Sequence, residues 1–234
     1  MLALRSLLFN IAFFTSAGLA GLIGLPLLFG PKRWRNAGMR GTARMELWLL
    51  KLICGIDIRV EGQEYLPRQG AALIAAKHQS ALDTIVWFGL LPDVAYVMKR
   101  ELFRIPIYGW FARRAEMIGV DRSGGAQAMR ALMRDGKRAV EEGRQIVIFP
   151  EGTRTSPGQQ VRYQPGIVAL AAATKLPVIP VATNSGLFWS RRAFTKRPGT
   201  VIVRVLPPLT EQRDELLTRL EAVIEAEQPA LEGR

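Results

Sequence analysis

The chain has 234 residues, enough for one domain with an appendage, and 49% of them are hydrophobic, which excludes disorder as a global description. A single cysteine, Cys54, permits no internal disulfide, and with a single histidine it removes any Cys/His zinc site. The 32 Lys and Arg outnumber the 20 Asp and Glu, a net charge of +12 that attracts a polyanion: nucleic acid, an anionic bilayer or an acidic carrier protein.

The first predicted element is apolar. From Ser6 to Pro31 no residue is charged, and the run "LLFNIAFFTSAGLAGLIGLPLLFG" has the length of a membrane span or of a hairpin lying in one leaflet. Gly18, Gly21, Gly24 and Pro26 bend or loosen a helix there, which membranes tolerate. Lys32, Arg33, Arg35, Arg40 and Arg44 follow it, against Arg5 alone before it. The positive-inside bias then puts the bulk of the chain on the cytoplasmic side of the cell (inner) membrane. A cleaved signal peptide is the rival, since "TSAGLA" offers small residues, but the apolar stretch runs well past that point. A second apolar segment, "MELWLLKLICGI" at 45–56, carries Trp48 and Lys51 as interfacial anchors and reads equally well as a core helix, with Cys54 a packing residue. Residues 1–55 are therefore expected to form an N-terminal pair of membrane-binding helices, and residues 56–234 a separate domain.

That second part alternates strands and helices. Alternating or β-branched runs at 56–60, 71–76, 94–98, 146–149, 178–182 and 201–205 predict strands. Between them the clearest helix runs over 125–142, with Met129, Leu132, Met133 and Val140 on one stripe and Arg130, Arg134, Lys137 and Arg138 outside it. The stretch from Glu211 places Leu216, Leu217, Leu220, Val223 and Ile224 on one face. The fold class is α/β, a mixed sheet flanked by helices. In such folds chemistry gathers at the carboxyl ends of strands. His78 follows the run ending at Ala76, and "PEGTRT" follows the run ending at Phe149.

His78 is the one histidine, and Asp83 stands five residues on. On a regular helix those positions point apart, so the two meet only if His78 lies in a loop and Asp83 in the first turn of a helix. Ser80-Ala81-Leu82-Asp83 has the pattern of a capping box with Ser80 as N-cap, which creates that geometry and is also a sufficient structural reason for Asp83. In "FPEGTRT", 149–155, Pro150 stops a strand ladder, Gly152 frees the turn, and Thr153 and Arg154 offer a hydroxyl and a forked guanidinium suited to phosphate or carboxylate. Ser80 as a nucleophile is poorly placed, and no G-x-S-x-G elbow exists in the sequence.

Together these segments resemble the glycerolipid acyltransferases. "KHQSALD" is similar to their H-x-x-x-x-D motif and "FPEGTR" to their second hallmark. "MKRELFRIPIYGW" at 98–110, "GVDRS" at 119–123 and "LPVIPVA" at 176–182 resemble three further blocks in the right order, over about residues 56–205. The family often has Asn before the histidine, where this chain has Lys77. The sub-family most resembled is the 1-acylglycerol-3-phosphate (lysophosphatidic acid) acyltransferases, which take acyl-CoA or acyl carrier protein as donor.

The resemblance implies acyl transfer to the free hydroxyl of a lysophospholipid, with His78 as general base and Asp83 fixing its tautomer. It implies substrate-binding parts for Glu151, Gly152, Thr153, Arg154, Arg122 and Lys99, with Arg122 and Arg154 on the phosphate. Plainer readings stand beside these: Glu151 holding the turn, Arg122 paired with Asp121, and Lys99 solvated. Neither a cofactor nor a metal is implied, and the expected partners are an anionic membrane surface, the lysophospholipid and the acyl donor. Nucleic acid is not expected, because no recognition motif accompanies the charge. Glycerol-3-phosphate and lyso-ornithine lipid remain alternative acceptors, and a silent basic membrane-binding protein is the alternative outside enzymes.

Overall fold

The computed structural model describes residues 1–121, 123–211 and 213–233, with the backbone alone at 213 and 214. Two long helices come first, α1 (Leu2–Ile23) and α2 (Lys32–Leu49), the second running on through a wider turn at Leu50–Cys54. The chain then follows β1 (Ile56–Glu61), β2 (Ala72–Ala76), α3 (Leu82–Leu90), β3 (Val94–Lys99), α4 (Tyr108–Arg114), β4 (Ile118–Val120), α5 (Gly125–Glu141) and β5 (Gln145–Ile148). It closes with α6 (Gly166–Thr174), β6 (Val178–Thr183), α7 (Ser185–Phe188), β7 (Gly199–Val205) and α8 (Arg213–Glu232). Each strand expected from sequence is present within one or two residues of its predicted ends. β4 was not foreseen, being three residues long and carrying a glycine.

Among the described residues the strands form one seven-stranded sheet in the order β1-β7-β6-β2-β5-β3-β4. Every neighbouring pair is parallel except β6 and β7, so β1 and β7 run against the other five. Parallel neighbours need helical crossovers, and α3, α5 and α6 supply them. Both faces of the sheet are covered, which is why β2 reads "ALIAA" without a polar residue. Ala72, Ile74 and Ala76 point into one cluster with Leu82, Val86 and Trp87 of α3. Leu73 and Ala75 point into the other, with Leu132, Leu170, Leu220 and Ile224 from α5, α6 and α8. The stripes predicted on α5 and α8 therefore face the sheet, and Arg130, Arg134, Lys137 and Arg138 are exposed.

The N-terminal helices are attached to this body at defined points. Phe9 is 1% exposed and meets Trp189 edge-on at 5.4 Å. Ser6 accepts the Lys196 N–H at 2.9 Å, and Leu50 and Cys54 enter the core beneath the sheet. Most of α1 is bare: Leu4, Leu8, Ile11, Phe14 and Ile23 are all at least half exposed.

Candidate active site

Four of the five co-directional strands, β2, β5, β3 and β4, present their carboxyl ends along one side of the sheet. The segments after them carry His78, Glu151–Arg154, the end of β3 at Lys99 and the Asp121 turn, so the motif blocks converge through topology. Arg122 lies outside the described residues.

His78 is in the loop and Asp83 in the first turn of α3, as their meeting requires. The His78 Nδ1 lies 3.1 Å from Asp83 Oδ2. The same oxygen accepts the backbone N–H groups of Gln79 and Ser80, each at 2.7 Å. A carboxylate is an acceptor only, so Nδ1 carries the proton and Nε2 is left with a free lone pair. The ring lies over Phe149, centroids 4.0 Å apart and planes 18° apart, which fixes its rotation. The capping box is only half formed. Asp83 accepts the Ser80 N–H as expected, but the Ser80 hydroxyl accepts from Leu82 at 3.1 Å instead of Asp83, and α3 begins at Leu82 after Ala81. The carboxylate is shared with the imidazole and the Gln79 amide, which shifts the helix start by one residue.

The second motif is a tight turn. The Gly152 N–H donates to the Phe149 carbonyl at 2.9 Å, with Pro150 at the position its fixed φ suits. Gly152 sits at φ +69°, a conformation that favours glycine. The turn aims Glu151 inward: it is 4% exposed, and its Oε2 accepts the His78 N–H at 2.7 Å. Its Oε1 accepts the Thr155 hydroxyl at 3.1 Å and faces the Lys77 ammonium at 3.1 Å. Burial pushes the Glu151 carboxyl up to about 7, while Lys77 and the hydrogen bonds from His78 and Thr155 act the other way.

Thr153 is exposed and Arg154 half-buried, the two on the outer side of the turn. The Arg191 guanidinium donates to the Arg154 carbonyl at 3.1 Å, leaving the Arg154 side chain uninvolved in that bond. Lys99 is exposed at the end of β3, two strands away from β2, and its side chain makes no hydrogen bond or ion pair among the described residues.

Sequence reasoning missed two features. Lys77 is 1% exposed and turns from the loop to Glu225 of α8; lysine gives no sequence signal of burial. In "RIPIY", Ile107 has φ +63° and ψ −64°, a strained turn closed by the Tyr108 N–H to Pro106 carbonyl bond at 2.7 Å. It presents Tyr108, whose phenol is pushed up by burial, with the Arg154 guanidinium acting against it.

A family model described as Acyltransferase matches residues 57–184, a span that holds both motifs and more than half of the chain. The chain belongs to the acyltransferase family. This acyltransferase is 33% identical over 210 residues to the 1-acyl-sn-glycerol-3-phosphate acyltransferase of Pseudomonas aeruginosa, covering 88% of the chain and 81% of that relative. It is 28% identical over 190 residues to the enzyme of that name from Cocos nucifera, covering 80% of the chain and 60% of the relative. Its fold is that of the 1-acyl-sn-glycerophosphate (LPA) acyltransferase from Thermotoga maritima, with a TM-score of 0.81 at 24% identity over 100% of this chain and 99% of the other.

Proposed function

We propose that the acyltransferase moves a fatty acyl group from acyl-CoA or acyl carrier protein to the free hydroxyl of 1-acylglycerol-3-phosphate, giving phosphatidic acid. The observation that carries the reading is the single imidazole held at Nδ1 by an Asp83 oxygen that two backbone amides already fix. With Nδ1 so engaged, Nε2 takes the proton of the acceptor hydroxyl as its oxygen attacks the thioester carbonyl. The new C–O bond forms, the C–S bond breaks, and the proton passes from His78 to the departing thiolate. A thiol of pKa about 8.5 leaves readily. The reaction balances without a metal or a cofactor, and no acyl-enzyme is needed.

In this reading Arg154, with Thr153 beside it and Arg122 expected from sequence, holds the acceptor phosphate and so orients the hydroxyl. Tyr108 lies within reach of the Arg154 charge, which acts on its phenol. Lys99 has a weaker part, as a charge at the rim. Glu151 acts from behind the loop, through the main chain of His78, and Gly152 makes its inward turn possible. The exposed apolar flank of α1 lies in the bilayer, with residues 1–55 as the membrane-associated part, 56–234 as the catalytic domain, and the basic residues after α1 on the cytoplasmic side.

The test offers purified protein lysophosphatidate, glycerol-3-phosphate and lyso-ornithine lipid side by side, each with acyl-CoA and with acyl carrier protein. Phosphatidic acid should be the main product, and His78→Ala should not form it. Preference for a phosphate-free acceptor sinks the assignment.

A further inference from the structure

Lys77 takes no part in the reaction as written, yet it is among the most deeply buried charged groups of the protein. It closes β2, its N–H donating to the Val181 carbonyl at 2.8 Å, and its side chain is 1% exposed. The ammonium lies 3.1 Å from Glu151 Oε1 and also bonds Glu225 Oε1 of α8. Tyr163, in the segment before α6, donates its hydroxyl to the same Glu225 oxygen at 3.0 Å. A buried ammonium needs a partner, but one carboxylate suffices to neutralise it. Two carboxyl groups on one lysine are more than its charge requires, and they stand directly behind the residue that does the chemistry in the proposed reading.

We propose that Lys77 and Glu225 are positioning residues for His78: the ammonium, tied to α8 through Glu225, holds the Glu151 carboxylate on the main chain of the catalytic loop. The inference rests on His78 being the base. The path is continuous, from α8 through Glu225, Lys77 and Glu151 to the His78 N–H, with a hydrogen bond or ion pair at each step. Lys77, the His78 N–H and the Thr155 hydroxyl act on Glu151 directly, while Glu225 of α8 reaches it through Lys77, and Glu151, Glu225 and Glu221 all act on Tyr163 before α6. Tyr163's phenol is raised far above its usual range, by burial and then by these carboxylates, so it serves as a neutral donor.

The arrangement fixes opposite consequences for two substitutions. Lys77→Met leaves two facing carboxylates and no cation, so Glu151 holds its proton to higher pH. Glu225→Gln leaves one cation for one carboxylate, so Glu151 loses its proton at lower pH. Opposite charges at such range move a carboxyl by about one to three units.

The chain has one histidine, so protein labelled with 15N-histidine gives one histidine backbone amide resonance. Its pH titration reports Glu151, while the ring nitrogens of the same residue report the imidazole separately. The amide midpoint should rise by about one unit or more in Lys77→Met and fall by about one unit in Glu225→Gln. In parallel, Lys77→Met should lower kcat by ~10-fold or more with acceptor KM nearly unchanged, as expected when a base is misplaced and binding is not. Loss of packing would lower activity in both variants without driving the midpoints apart. Midpoints that stay put, or that move the same way, overturn the inference. If Lys77→Met does not fold, Glu225→Gln decides: a fall supports it, and an unmoved or raised midpoint refutes it. A His78→Ala protein that stays active would instead refute His78 as the base, whatever the amide does.

Discussion

Glu151 and His78 meet through the main chain: the carboxylate accepts the His78 N–H at 2.7 Å, and the His78 carbonyl accepts the Thr155 N–H at 2.8 Å. One short segment thus grips the histidine on both sides of its α-carbon. Asp83 and Phe149 fix the ring. The imidazole is placed before any substrate arrives, and under the proposed mechanism that preorganisation would lower the cost of proton transfer.

His78→Ala should lower kcat by about 10²–10⁴-fold, the usual cost of losing a general base. Asp83→Asn should cost nearly as much, because the amide nitrogen cannot accept from Nδ1 and favours the wrong tautomer. The double variant should be no slower than His78→Ala. Steady-state kinetics beside thermal melts check this, since Asp83 also holds two backbone amides. An additive double variant would mean the two residues act independently.

Arg154→Ala should reduce kcat/KM for lysophosphatidate by at least ~10-fold, because a charge-assisted hydrogen bond is worth roughly 1.5–3 kcal/mol. The Arg191 bond to the Arg154 carbonyl survives the substitution, so the turn should keep its melting temperature. Arg154→Lys keeps the charge without the fork and should recover part of the loss. The comparison acceptor is a phosphate-free lysolipid. Equal losses on both acceptors would show that Arg154 does not bind the phosphate.

The parts of this fold legible in the sequence were those with strong periodicity or punctuation. The apolar run at 71–76 declared a strand, and the stripe at Met129, Leu132, Met133 and Val140 declared a helix, of which Met129, Leu132 and Val140 pack toward the sheet. Spacing and helix geometry set the condition under which His78 and Asp83 could meet, and the loop and first turn of α3 satisfy it. Lys77 gave no such sign, because a lysine's burial is decided by a carboxylate 148 residues away in α8. The turn at Gly152 was legible in "FPEGTRT", but the inward aim of Glu151 also depends on Thr155 docking against His78, a contact that leaves no local pattern. The strain at Ile107 is likewise invisible, since nothing in "IPIY" requires a positive φ.

Glu151 also leaves a mark on stability. Its carboxyl titrates near 4.5 ordinarily and is pushed up to about 7 in the folded protein, chiefly by burial. The folded state therefore holds the proton more tightly, and this group's stabilising effect is full below pH 4.5 and lost as pH rises through 7. The full swing is about 3 kcal/mol at 1.36 kcal/mol per unit. Glu151→Gln should remove that slope: relative to the variant, the parent should lose stability between those two pH values. Denaturant midpoints across the window measure it. Parallel curves for parent and variant would show that Glu151 is not shifted.

In the proposed reading the two sides of the N-terminal helix have different tasks. Phe9 is 1% exposed against Trp189, whereas Ile11 is 57% exposed. Phe9→Ala should lower stability by about 3–5 kcal/mol, the cost of emptying an aromatic site, with binding to anionic vesicles kept. Ile11→Asp should leave the melting temperature nearly unchanged. It should weaken vesicle binding by ~60- to 300-fold, because a carboxylate in a bilayer-buried helix costs about 2.5–3.5 kcal/mol on insertion scales. The binding that remains should come from the exposed Arg33 and Arg44 and should fall as salt rises, since exposed charges are screened. Vesicle flotation of both variants at low and high salt distinguishes the two effects. Ile11→Asp protein that stays bound at high salt would move the anchor to the α2 flank, where Trp48 and Leu52 are each 60% exposed.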